Sequence, residues 1–151
     1  MDWRENLIDD TNGLRHLLAE TRRVAVLGIR SELFSYRPAH FVPAYLAEVG
    51  FEVIPVPVYE PEVTTMLGKP VYRSLLDVPG EIDLVDVFRR ADQLSMHLAE
   101  VIEKRPKAVW LQLGILDDKF AEEVARAGIK VVQDRCLMVD HRRLFKPPTS
   151  F

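Results

Sequence analysis

The alternation of short apolar strands with amphipathic helices predicts an α/β protein: a doubly wound, mainly parallel sheet in three layers, with helices on both faces. Three observations carry this. Val24–Leu27 is a short apolar run closed by Gly28 and reads as a buried parallel strand. Pro38 opens a segment whose Phe41, Val42, Tyr45, Leu46 and Val49 follow a 3.6-residue period, and Gly50 stops it. Phe51–Val56 then returns as a second strand, completing the crossover that a parallel pair requires.

The other elements follow in order. Asn12 is placed to cap a first helix running to about Glu20, with Leu14, Leu17 and Leu18 as its buried face. Tyr59–Lys69, rich in turn residues, reads as a loop, and Val71-Tyr72 as a short third strand followed by a helical turn at Ser74–Leu76. Pro79-Gly80 breaks the chain before a fourth strand at Leu84–Phe88. Asp92 is expected to cap a helix to about Lys104, and Ala108–Gln112 is the fifth strand. Asp117 or Asp118 caps a helix that Gly128 ends; Ile129–Val132 is the sixth strand and Leu137–Leu144 a last short helix. A two-halves topology orders the six strands 3-2-1-4-5-6, with Gly28 and Phe88 on neighbouring strands at one edge.

At 151 residues and 48% hydrophobic content the chain fits one domain spanning 1–151, with a frayed tail at 146–151. A net charge of −3 gives no support to a nucleic-acid partner. The acidic start lacks a secretory signal's apolar run, and no stretch approaches the roughly 18 apolar residues of a membrane span, so a cytoplasmic protein with no membrane partner is expected. The one cysteine, Cys136, excludes an internal disulfide and a multi-cysteine zinc site.

Placing the arginines on these elements gives the mildly acidic chain a basic edge. Arg30 and Arg37 follow strand one, Arg89 and Arg90 strand four, and Arg135 strand six. All lie at carboxyl ends of strands, where doubly wound sheets bind ligands. Arginine donates two parallel hydrogen bonds to phosphate, and the helix opening at Pro38 turns its free amides to the same edge. An anionic phosphoester is the expected ligand. His40, in the first turn of that helix, is close enough for a ligand contact.

A redox dinucleotide fits poorly. Its fingerprint needs two more glycines after the first, and here Gly28 leads into Ile29-Arg30-Ser31-Glu32-Leu33 with no glycine before Gly50. Strand two ends in Pro55-Val56-Pro57 instead of an acid for the ribose, and Glu60 stands beyond a proline-rich turn expected to carry it away.

Gly28 with its loop, Arg37-Pro38-Ala39-His40-Phe41-Val42-Pro43, Pro55-Val56-Pro57, Val85-Asp86-Val87-Phe88-Arg89, Trp110-Leu111-Gln112-Leu113-Gly114 and Asp134-Arg135-Cys136-Leu137 together resemble the single-domain CoA-binding protein family. That family is similar to the CoA-binding domain of the succinyl-CoA synthetase alpha subunit. The resemblance runs from about Leu14 to Phe145 and implies a Rossmann-like sheet holding coenzyme A along its carboxyl edge. It implies that Gly28, Ile29, Arg30 and Ser31 face the diphosphate with Arg37, that Pro55, Val56 and Pro57 shape an adenosine slot, that Phe88 and Arg89 line the other wall, and that Gln112 to Gly114 lie near the pantetheine arm. The family commonly has Pro-Val-Asn-Pro where this chain has Pro55-Val56-Pro57-Val58, which removes an amide from that turn.

Catalytic groupings are thin. None of His16, His40, His97 and His141 has metal-ligand spacing to another histidine, and His97 reads as a packed or surface residue. Cys136 has two readings: a small buried hydrophobe beside Leu137 and Met138, or a thiol made nucleophilic by the Arg135 guanidinium. Two classes of function follow. One is a non-catalytic module that binds CoA or acyl-CoA; the other is an enzyme on an NAD(P) or CoA-thioester substrate, with Cys136 as its reactive group. Neither names a protein partner.

Overall fold

The structure is a computed structural model describing residues 2–145, so the tail expected at 146–151 lies outside the described residues. Its elements are α1 (Thr11–Ala19), β1 (Arg23–Leu27), α2 (Pro38–Glu48), β2 (Glu52–Val56), β3 (Thr65–Met66), β4 (Lys69–Pro70), β5 (Leu84–Val87), α3 (Leu98–Lys104), β6 (Ala108–Leu111), α4 (Asp118–Arg126), β7 (Lys130–Val132) and α5 (Leu137–Phe145). Five strands form a parallel sheet in the order β2-β1-β5-β6-β7. Alternate strand residues feed two cores. Ala25, Val85 and Val109 face α3 and α4 through Val101 and Phe120, whereas Val24, Leu84 and Trp110 face α1, α2 and α5 through Leu14, Val42 and Leu137. The expected three-layer doubly wound fold is present.

The sheet has five strands where six were expected, and the expected order stands without its outermost strand. Val71-Tyr72 does not pair as a strand; only the Tyr72 amide reaches β2, donating to the Pro55 carbonyl at 3.0 Å. The reason is proline. A strand residue presents its N–H and C=O to the same side, so Pro55 leaves the outer side of β2 one donor short without costing the β1 ladder a bond. The preceding segment folds on itself instead: β3 and β4 pair antiparallel around Leu67-Gly68, whose φ angles of 52° and 74° suit a tight hairpin turn.

Two caps also differ from expectation. Asp10, not Asn12, caps α1, accepting from the Gly13 amide at 3.2 Å. Asp92 does not cap a long helix: residues Ala91–His97 form a 3-10 helix ahead of α3, and Asp92 accepts from the Arg90 side chain at 2.8 and 3.2 Å. At the other end of the chain, Asp117 caps α4 through the Phe120 amide at 3.1 Å, as read from the sequence.

Among the described residues, Asp86 is the one buried polar side chain without a hydrogen-bond partner. It sits mid-sheet between Val26 and Trp110, is fully buried, and neither carboxyl oxygen has a hydrogen-bond partner. Burial pushes its pKa well above the ordinary carboxylate range. The carboxyl is therefore protonated when folded and ionised when unfolded above about pH 3.9, so it lowers stability as pH rises from there toward the folded pKa. An Asp86→Val variant is expected to gain stability over the wild type with increasing pH, by up to ~1.4 kcal/mol per pH unit, the limit for one proton. Urea unfolding of both proteins from pH 4 to 8 measures this, and a difference independent of pH would contradict a neutral Asp86.

Candidate functional site

The carboxyl edge of the sheet is shaped by a glycine and a proline. Gly28 has φ +91°, and a Cβ there would stand 2.3 Å from the Phe88 carbonyl oxygen. Gly28 thus lets the loops after β1 and β5 approach each other, and Phe88 returns a backbone bond to Leu27 at 2.8 Å. Pro43 lies inside α2 and lacks the N–H that would bond the Ala39 carbonyl. The Arg30 amide donates to that carbonyl at 3.0 Å, and the His40 ring holds the Arg30 carbonyl through Nδ1 at 3.1 Å. A helix defect and a histidine therefore dock the loop after β1 onto α2.

Between these loops and the amino ends of α2 and α5 lies a cavity of about 710 Å³. Its lining includes Arg37, Phe88 and Arg89 together with Gln112, Gly114 and Cys136. Its walls are mostly apolar, with Phe41, Met138 and Val139 contributed by the two helices. The Gln112 side chain is nearly buried, and its amide oxygen accepts from the Leu137 amide at 3.0 Å, satisfying the start of α5.

Of the residues singled out from the sequence, Arg37, Phe88, Arg89, Arg90, Gln112, Gly114 and Cys136 line this cavity. The others lie around it. Ile29 is fully buried, and Pro55, Val56 and Pro57 are buried along the β2 edge, where the Val56 carbonyl accepts from Gly28 at 2.9 Å. His40 braces the loop. Arg30 and Ser31 are engaged by Glu60, contrary to the expectation that its turn carries Glu60 away. Glu60 adopts φ +59° and folds back, accepting from Arg30 Nε at 3.1 Å, the Ser31 amide at 3.0 Å and the Ser31 hydroxyl at 2.5 Å. Burial works against this carboxylate, but the Ser31 and Arg30 bonds outweigh it and hold its pKa below the usual value.

The five edge arginines thereby separate into two groups. Arg30 pairs with Glu60, Arg90 with Asp92, and Arg135 with Asp140 through two bonds of 2.6 and 2.9 Å. The Asp140 bonds outweigh partial burial and raise the Arg135 pKa. Among the described residues, Arg37 and Arg89 pair with no carboxylate. Arg37 is exposed at the first turn of α2; Arg89 is only 5% exposed, so its charge is desolvated. Both border the cavity. A concave, largely apolar space with two guanidiniums outside any ion pair and a helix amino end has the chemistry to hold a phosphorylated ligand with an apolar arm.

Several cavity residues escaped the sequence reading. The 3.6-residue period groups Phe41 with the buried stripe of α2, but Val42, Tyr45, Leu46 and Val49 alone satisfy the i, i+3, i+4, i+7 spacing, and Phe41, one position off it, is exposed. Met138 and Val139 are likewise beside Leu137, the buried apolar position of α5. An apolar residue adjacent to a complete stripe was the available signal. Among the described residues no group of three metal-ligating side chains is present, and no helix is long and apolar enough to cross a membrane.

A family model described as CoA binding domain matches residues 22–142. The uncharacterized protein YneT of Bacillus subtilis is 30% identical over 128 residues, covering 85% of this chain and 91% of that one. A solved Thermus thermophilus structure, described as cell-free ID.343, superimposes with a TM-score of 0.83 at 43% identity, covering 91% of this chain and 100% of that one. A hypothetical protein from Pyrococcus horikoshii OT3 superimposes with a TM-score of 0.82 at 30% identity, over 90% and 92% of the two chains.

Proposed function

The chain belongs to the CoA-binding domain family, and from that premise we propose that it is a single-domain, cytoplasmic, non-catalytic module that binds coenzyme A or an acyl-CoA in the cavity at the carboxyl edge of its sheet. The observation that carries this reading is the pair of arginines without an ion pair among the described residues, Arg37 and Arg89, in the lining of a mostly apolar cavity. CoA has the matching polarity: phosphates at one end, a pantetheine arm at the other. In this arrangement Arg37, Arg89 and the Ala39 amide hold phosphate, since Pro38 has no N–H and the His40 and Phe41 amides already donate to the Arg37 carbonyl; Phe88 lines the cavity beside them, and the arm runs past Gln112 and Gly114 toward Cys136. Gly28, Ile29, Arg30, Ser31 and His40 fix the wall, and Pro55-Val56-Pro57 frames the adenosine side.

A second reading, an enzyme acting on a CoA thioester, is supported by the position of Cys136 in the cavity lining. One experiment addresses both. Cys136 is the chain's single thiol, so modification by iodoacetamide reports on this cavity alone. Acetyl-CoA, which has no competing free thiol, is expected to slow that modification at least tenfold at saturation and to be recovered intact. Unchanged labelling at saturating acetyl-CoA would put the ligand elsewhere. Acetylated Cys136 with released CoA would favour the enzymatic reading.

A further inference from the structure

Arg89 is held by a chain of side chains that runs through His97 to Glu100 and Ser74. Its Nε donates to His97 Nε2 at 3.1 Å, and its two terminal nitrogens donate to the Tyr59 hydroxyl at 3.2 Å and the Met96 sulfur at 3.4 Å. All three acceptors are uncharged. A guanidinium only donates, so His97 Nε2 must be bare and the proton must sit on Nδ1. That proton points at Glu100 Oε1, 2.6 Å away. The other Glu100 oxygen accepts from the Ser74 hydroxyl at 2.8 Å and the Leu75 amide at 3.0 Å. Burial disfavours the Glu100 carboxylate, yet the His97, Ser74 and Leu75 bonds hold its pKa below the usual value. Glu100 is thus a fixed anion that sets the histidine tautomer, and the histidine sets the plane of the arginine.

From this geometry we infer that His97 and Glu100 are positioning residues for phosphate recognition: a carboxylate–imidazole–guanidinium relay that presents Arg89 to the anionic part of the ligand. The inference rests on the CoA reading above. A direct carboxylate partner would hold Arg89 as well but would neutralise it, as Glu60, Asp92 and Asp140 do for the other edge arginines. Interposing a neutral imidazole keeps orientation while leaving the positive charge available. The same logic orients metal-bound and catalytic histidines, where a carboxylate on one ring nitrogen fixes what the other can do. Here the oriented group is a buried cation.

The test is a double-mutant cycle read by calorimetry with CoA. His97→Phe is expected to weaken binding ~10-fold, within the range for one charged hydrogen bond, with no further loss in an Arg89→Ala background. His97→Gln, which keeps an acceptor at the end of its side chain, should restore most of the affinity. Nitrogen NMR of the wild type should show His97 as the neutral Nδ1–H tautomer. Should His97→Phe not fold, Glu100→Gln in both backgrounds and the tautomer decide the matter. Wild-type affinity in His97→Phe, losses that multiply with Arg89→Ala, or a His97 protonated on Nε2 would overturn the inference. A wild-type protein that fails to bind CoA would overturn the parent reading, and this one with it, whereas intact CoA binding with a failed cycle refutes the relay alone.

Discussion

Alanine at Arg37 or Arg89 is expected to weaken CoA binding by about ten- to a hundredfold, the equivalent of ~1.5–3 kcal/mol for a charged hydrogen bond. The two differ in what else they cost. Arg37 is exposed and without an ion pair among the described residues, so its loss should leave unfolding nearly unchanged. Arg89 is buried and bonded to His97 and Tyr59, so its loss also leaves those acceptors unsatisfied and lowers the melting temperature. Arg22 supplies the control. It is exposed at the amino end of β1, its backbone bonded to Asp83, on the opposite edge of the sheet. Arg22→Ala should retain wild-type affinity, because exposed charges more than ~10 Å from a ligand are largely screened at 0.1 M salt. Calorimetry of the three variants separates a built phosphate site from a general positive field. Equal losses at Arg22 and Arg37 would leave only the field.

The same arginines mark where sequence reading stops. Their position at carboxyl ends of strands follows from strand periodicity alone, and the structure has all five near that edge. Which of them carry free charge depends on contacts between distant segments. Glu60 reaches Arg30 only because residue 60 takes a left-handed conformation and turns the chain back; nothing local in Tyr59-Glu60-Pro61 announces it. Asp140 reaches Arg135 across the first turn of α5, a five-residue separation that was open to inspection but not conclusive without the helix start. The layered fold was legible because β1, α2 and β2 each follow one unbroken period. The missing outer strand was not, since Val71-Tyr72 has strand character and is excluded only by what Pro55 does to its neighbour's edge. Gly28 was legible as the end of β1, but the close approach of the Phe88 carbonyl that its missing side chain permits depends on a segment sixty residues away. The relay behind Arg89 was invisible, since Ser74, Arg89, His97 and Glu100 come from three separate segments.

Glu60 also bears on the choice between CoA and NAD. An acid beside a glycine loop is the usual receptor for a nicotinamide dinucleotide's ribose hydroxyls. Here both oxygens of that acid are engaged by Arg30 and Ser31, and its side chain is only 7% exposed. The ribose therefore has no acceptor to find, while Arg37 and Arg89 favour the ligand with more phosphate. CoA carries a ribose 3′-phosphate in addition to its diphosphate; dephospho-CoA and NAD do not. Calorimetric titration of the wild-type protein with these three ligands at one ionic strength is the most direct test of the account. CoA is expected to bind at least about tenfold more tightly than NAD, with dephospho-CoA between them, because one phosphate–arginine contact is worth ~1.5 kcal/mol or more. NAD binding as tightly as CoA would contradict it.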